Sequence, residues 1–312
     1  MVVSLLSGNT RTIYAGKQSA KGTAQNTPTV KIPLTEDSFD PNRTLIQLPE
    51  TDSSAQTAGY SVVGAQPGGT LSKWLRPAED NLFMEAVQGA GAGNVWTPGQ
   101  NAPWLTIFDV IPGVMCTKYI DCRVISATWA GGAGQGISSQ YVIEGLTAQV
   151  GATEPVTPAS ASTERVLVYP DVTVTRGGVH LGDVDAFSLT VNRGGEYFFG
   201  DNGLSPVDRP MGLYGVEGSL TIAFQNDQEA RAFNTGATAG TSLTTTIYNQ
   251  ALSILADNAT DSQSVLWAMT QIQYSSFPVP LDTGGAPIRV AAGFRTNKQA
   301  TIANNLTITT EP

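Results

Sequence analysis

Residues Gly151–Thr163 read GATEPVTPASAST, a run of small residues and prolines with no apolar face to bury, and such a run cannot pack a core. It falls close to the midpoint of a 312-residue chain, which is long enough for two ordinary domains with cores of their own. On either side, apolar and polar residues alternate over short stretches, the period of half-buried strands, with one or two helical stretches per half. The fold expected is mainly β: two tandem β-sandwich domains with flanking helices, at 41–150 and 164–312. The linker 151–163 joins them and an arm over residues 1–40 precedes them.

In the first half, Thr44–Leu48 and Ala58–Ala65 read as strands. A helix over Pro77–Val87 follows, opened by a proline at its first position. Glu79 and Asp80 lie in its first turn, where the helix dipole favours acids, and Gly89 can end it. Strands are expected at Trp104–Val110, Lys118–Trp129 and Gln140–Gln149. In the second half the strands are Ala186–Asn192 and Tyr214–Phe224. Asn226 caps a helix through Phe233, and a further helical stretch lies near Thr246–Ala256. Strands follow at Val265–Tyr274, Ile288–Arg295 and Leu306–Thr309. Matching elements lie about 140–155 residues apart, the length of one modest domain, and read as an internal duplication.

Composition narrows the function. Only 14% of residues are charged, and the formal net charge is −9. Without a basic patch to neutralise phosphates, tight or sequence-specific DNA binding is disfavoured. Cys116 and Cys122 would lie too far apart on one strand for a disulfide, and they form no CxxC or metal-ligand cluster, so buried free thiols and no bound metal are expected. The opening MVVSLLSG lacks the basic and apolar regions of a secretory leader, and no apolar run is long enough to span a membrane. The single histidine, His180, reads as a surface or satisfied polar residue; the carboxylate pairs Asp183/Asp185 and Glu79/Asp80 could in principle serve a glycosidase, but Asp183 and Asp185 read as a solvated strand edge. No nucleophile elbow, zinc motif, phosphate loop or dinucleotide fingerprint occurs. Neither catalysis nor a cofactor is expected.

One segment stands apart. RGGEYFFGDNGLSPVDRPMGL, residues 193–213, is a long loop with Tyr197, Phe198 and Phe199 in a row and Asp201 beside them. Exposed aromatics of this kind need a surface. The reading adopted is docking onto a neighbouring subunit; the competing one is folding back onto their own domain.

The order strand, long loop, strand, helix, strands resembles that of the major tail tube proteins of long-tailed bacteriophages. So do AGYSVVGA (58–65), SKWLRPAEDNLFMEAVQG (72–89), AFSLTVNRGG (186–195) and GVEGSLTIAF (215–224). The resemblance covers roughly residues 40–312. It implies a structural virion protein whose domains each add a sheet to a continuous barrel around a lumen. The rings stack into a tube, assembled in the host cytoplasm around a tape-measure protein and closed by tail-end proteins. Double-stranded DNA would pass without specific binding. The resemblance also implies an acidic lumen, for which Glu144, Asp183, Asp185 and Glu217 are the candidates, and a trimeric, pseudo-hexameric ring if each chain supplies two units. The alternative is a secreted or surface β-sandwich adhesin or carbohydrate-binding protein.

Overall fold

The computed structural model describes residues 11–47, 60–155, 157–201, 203–224, 227–245, 247, 249–279, 288–296 and 305–312. In chain order its elements begin with β1 (Thr12–Lys17), β2 (Val30–Ile32), β3 (Glu36–Asp37), β4 (Arg43–Gln47), β5 (Tyr60–Ala65) and β6 (Gly68–Trp74). Helix α1 (Pro77–Gln88) follows, then β7 (Gly89–Ala92), β8 (Val95–Pro98), β9 (Leu105–Ile111), β10 (Met115–Gly132), β11 (Ser138–Glu144) and β12 (Thr147–Val150). The second half holds β13 (Val172–Arg176), β14 (Val179–His180), β15 (Val184–Asn192), β16 (Gly215–Ala223), α2 (Gln228–Thr235), β17 (Gln250–Asn258), β18 (Gln263–Ser276), β19 (Arg289–Thr296) and β20 (Leu306–Glu311). The protein is mainly β, as expected.

Two long strands, β10 and β18, are the spines of the fold, and both are bent by bulges at matching places. The β9–β10 register slips between Tyr119 and Cys122, where Asp121 takes a positive φ of 57°. The β17–β18 register slips next to Met269, and pairing resumes at Ile272. A second slip follows in each: β11 on β10 between Val124 and Ser126, and β19 on β18 between Tyr274 and Ser276. The N-terminal part of each spine carries its own strands, in the orders β2–β1–β9–β10–β12 and β14–β13–β17–β18–β20. The C-terminal parts share one long antiparallel sheet, β3–β6–β11–β10–β15–β16–β19–β18. Among the described residues these pairings do not return on themselves, so the sheet keeps two ends.

Alternation explains which face is buried. Leu71, Tyr141, Ile143, Trp129, Leu189, Leu220 and Phe294 point from the long sheet into the core. Trp267 of β18 meets Trp129 and Phe187 there, at centroid distances of 5.8 and 5.9 Å. The buried side chains of both halves form one main cluster. Helix α1 lies on this core side, Phe83 stacking on Tyr141 at 4.8 Å, and it ends at Gly89 in the left-handed region (φ 85°).

Several expectations need correcting. The N-terminal stretch expected as an arm carries strands from residue 12 onward. β1 pairs with β2 and β9, and the alternating buried Ile13 and Ala15 give it a core face. The stretch near Thr246–Ala256 is not helical: β17 occupies Gln250–Asn258, because Leu252, Ile254 and Ala256 alternate with more exposed residues and fill a strand face. Gln140–Gln149 is two strands, broken where Gly145 meets Cys122 Sγ and the Pro67 carbonyl oxygen. Strand β6 was not foreseen; its glycines and a buried Lys73 disguise the alternation. Asn226, Leu48 and Ala58 lie outside the described residues. Within the expected linker, the described residues hold no helix or strand.

Candidate functional site

The face of the long sheet turned away from the core is built of small polar side chains. In register across it run Glu36, Ser72, Gln140, Thr128, Thr190, Glu217, Arg295 and Gln273, one from each strand in turn. The adjacent row is Trp74, Ser138, Ala130, Ser188, Ser219, Gly293 and Ser276. Gln140 Nε2 donates to Ser72 Oγ at 3.3 Å, and the Thr128 and Thr190 hydroxyls lie 3.0 Å apart across the seam between the halves. Such a face presents hydrogen-bonding groups but few apolar anchors.

The candidate acids fall on or near this surface, each in a different setting. Glu217 stands in the first row, 3.5 Å from Arg295 Nε. Glu144, at the end of β11, forms an ion pair with buried Arg209 of the long loop. Asp185 lies 2.5 Å from Arg289 at the margin of the face. Asp183 lies off the face, in a cavity of about 360 Å³ with Arg176, His180, Glu229 and Phe277. Three of these carboxylates thus have an arginine partner. The partners were not legible in the sequence: Arg209 lies 65 residues from Glu144, and Arg289 lies 104 from Asp185.

The loop 193–213 crosses to the first half. Tyr197 Oη donates to the Pro67 carbonyl oxygen at 3.3 Å, and the Arg209 guanidinium lies 5.6 Å from the Tyr197 ring centroid. Burial, chiefly, pushes the Tyr197 phenol above its ordinary range. Lys21 Nζ lies 2.9 Å from Asp208, and the Ala65 N–H donates to the Leu204 carbonyl oxygen at 2.7 Å. Tyr197 is thereby held within the chain, whereas Phe198 and Phe199 are 61% and 40% exposed. Leu204 and Val207 of the loop are exposed as well, as are Leu45, Val62 and Val63 of the β4–β5 hairpin, to which the loop is joined by the Ala65–Leu204 hydrogen bond. Asp201 lies in a turn of the same loop.

The first-turn acids of α1 are buried. Lys73 Nζ, without exposed surface, lies 2.8 Å from Asp80 and 3.1 Å from Glu79, both buried. Asp80 also accepts from Tyr141 Oη and, at 3.0 Å, from the Arg76 N–H. Burial and the Asp80 charge push the Tyr141 phenol far above its ordinary range. This buried cluster fastens α1 to β6 and β11. Cys116 and Cys122 are both buried free thiols on β10. Among the described residues, no group of three or more His, Cys, Asp or Glu is placed to hold a metal ion, and no helix is long and apolar enough to cross a membrane.

A sheet with a polar face and open ends, beside an exposed apolar surface, defines a structural protein of the kind whose sheets meet other sheets. The profile of the family described as phage tail tube protein matches residues 8–296, and the chain belongs to that family. It is a structural tail tube protein, and thereby a component of the virion. A comparison with curated proteins finds no match.

Proposed function

We propose that the chain assembles into rings of three copies, each contributing two tube-like units, and that the rings stack into the conduit for DNA ejection. The observation that carries this is the long sheet itself: eight strands in continuous register, polar and small on one face, and unclosed at both ends. A free sheet edge leaves backbone donors and acceptors unpaired, and joining edges around a ring satisfies them. The two units are supported by the matched bulges of β10 and β18.

The polar face lines the bore. Serine, threonine and glycine side chains give a moving duplex little to adhere to, and ion pairing of Glu217, Glu144 and Asp185 with arginines leaves few free cations to hold phosphates. The exposed surface around Phe198 and Phe199 docks on the next ring, a head-to-tail contact that propagates a filament. The tape-measure and tail-end proteins are the expected partners during assembly in the host cytoplasm.

Three-dimensional reconstruction of tubes formed by the purified chain tests this reading. Three chains per ring with β6, β11, β15 and β16 around the lumen is the expected result. Six chains per ring, or a lumen lined by another surface, overturns it.

A further inference from the structure

The two halves are joined by two strand pairings, and each has a counterpart, by position in the repeated unit, that no described strand covers. The first joint is β10–β15, in the register Ala127↔Val191 and Trp129↔Leu189. The second is β8–β20, in the register Trp96↔Ile308.

The bulges fix the equivalence. Tyr119 precedes the first slip as Met269 does, and Ser126 follows the second as Ser276 does, an offset of about 150 residues, the size of one repeated unit. Phe277 and Val279 therefore stand where Ala127 and Trp129 stand. At those positions β10 turns its N–H and C=O groups toward β15. The flanking bonds, Arg193 N–H to the Ile125 carbonyl oxygen at 2.8 Å and Ala133 N–H to the Asp185 carbonyl oxygen at 2.9 Å, set that parity. Pro278 falls on the opposite parity, so its missing N–H costs the outer edge no donor.

The receiving strand is equally well marked. Asp40 bridges to Gly68 as Thr190 pairs with Glu217, which puts 37, 39 and 41 where 187, 189 and 191 stand. The sequences agree: Ser38–Arg43 reads SFDPNR and Ser188–Arg193 reads SLTVNR. Ser38 and Asp40 donate their N–H groups to β6, leaving Phe39 and Pro41 facing outward; Pro41 offers that edge its carbonyl oxygen alone, and the Phe39 N–H lies 3.4 Å from Asp37 Oδ1.

The second joint follows by the same mapping. Ile308 pairs with Trp267 and Val150 with Thr117, so Val150 is the counterpart of Ile308. Ile308 is fully buried beside β8, whereas Val150 is 59% exposed. The segment after α2 corresponds to the β7–β8 hairpin after α1, since both helices end at a left-handed glycine, Gly89 and Gly236. It carries Leu243, 83% exposed.

We infer that a second copy of this chain docks across these ends, using the joint between the halves as its template. Phe277–Val279 of one copy pairs with residues 39–41 of the next in the β10–β15 register. The segment 236–245 covers Thr147–Val150 of that same next copy, as β8 covers β20. The inference rests on the tail tube reading and specifies its contact strand by strand.

Asp40→Cys with Pro278→Cys tests it, because these positions are the counterparts of Thr190 and Thr128 and face each other in a non-hydrogen-bonded pair within disulfide reach. Oxidised assemblies of the double variant are expected to run as covalent multimers on denaturing gels, each single variant as a monomer. Thr128→Cys with Thr190→Cys gives a link inside one chain. Hydrogen exchange on the unaltered protein supplies an independent reading: peptides covering 35–42, 147–150 and 273–279 gain protection on assembly. Assembly without cross-links and without that protection overturns the inference and leaves the tube reading standing. A native chain that stays monomeric at every concentration overturns both.

Discussion

Thr128 of β10 and Thr190 of β15 face each other with hydroxyls 3.0 Å apart, at the line where the first half of the chain becomes the second. Behind them Trp129 packs on Trp267 and Tyr141, so the seam is backed by core on both sides. The halves should therefore unfold together. A single cooperative transition is expected in denaturant, coincident by tryptophan fluorescence and circular dichroism. Trp129→Ala should shift it by about 3–5 kcal/mol. Two separate transitions in the native protein would show that the seam does not couple the halves.

The cluster at the start of α1 sets a second expectation. Lys73 neutralises Asp80 and Glu79 where none of them has water to turn to. Lys73→Met should cost about 3–5 kcal/mol, because it leaves buried Asp80 without its cation and Glu79 with Arg76 alone, 3.7 Å away. Lys73→Met combined with Glu79→Gln and Asp80→Asn should recover part of that loss in urea titrations. Equal stability of the single variant and the native chain would contradict the observed burial.

Thiol chemistry gives a third. Burial raises the pKa of both Cys116 and Cys122, which disfavours the reactive thiolate, and both side chains are enclosed. Neither should be alkylated by iodoacetamide in the native protein at neutral pH, and both should react in denaturant. Mass spectrometry of the native reaction reads this directly.

The long loop should respond to pH through Asp208. A hydrogen bond from the Lys21 ammonium is the main reason its carboxyl sits below the ordinary aspartate range. A lowered pKa in the folded state contributes stability above the unfolded value. That contribution is lost as pH falls through the lower folded value. Proteolytic cleavage within 193–213 by an acid-active protease should rise across that window. Asp208→Asn should raise cleavage above the window and flatten the dependence.

The proposed bore yields a fifth prediction. Glu217→Lys replaces an exposed ion pair with two adjacent cations, Lys and Arg295, at a cost to stability of about 1 kcal/mol or less. Tubes should form, and DNA release from virions carrying the change should slow. Unchanged release kinetics would remove Glu217 from the bore.

Much of this was legible in the chain. Alternation located β9, β10, β15, β16, β18 and β19, and Pro77 with Gly89 bracketed α1, because these cues act over a few residues. The match of elements between the halves is an expectation whose register the hydrogen bonds shift. Thr44–Leu48 and Ala58–Ala65 were matched to Ala186–Asn192 and Tyr214–Phe224, whereas the hydrogen bonds match residues 35–40 and β6 to β15 and β16. The β4–β5 hairpin is thus the counterpart of the long loop. A two-residue strand such as β3 leaves no periodic trace. Among the candidate site residues, Glu144 and Glu217 fall on the polar face and Asp183 does not. Tyr197 folds back onto the first half while Phe198 stays exposed, a division that three consecutive aromatics could not disclose.

By itself, then, the sequence determined the mainly β class and the family, since strand period, turn residues and local motifs are written in neighbouring positions. Tertiary structure alone decided which strands meet across the seam, which carboxylates find arginines, and which backbone edges are left open. Those outcomes depend on pairings between residues as distant as Trp96 and Ile308, and on bulges that rotate a strand only when a partner is present to register the slip.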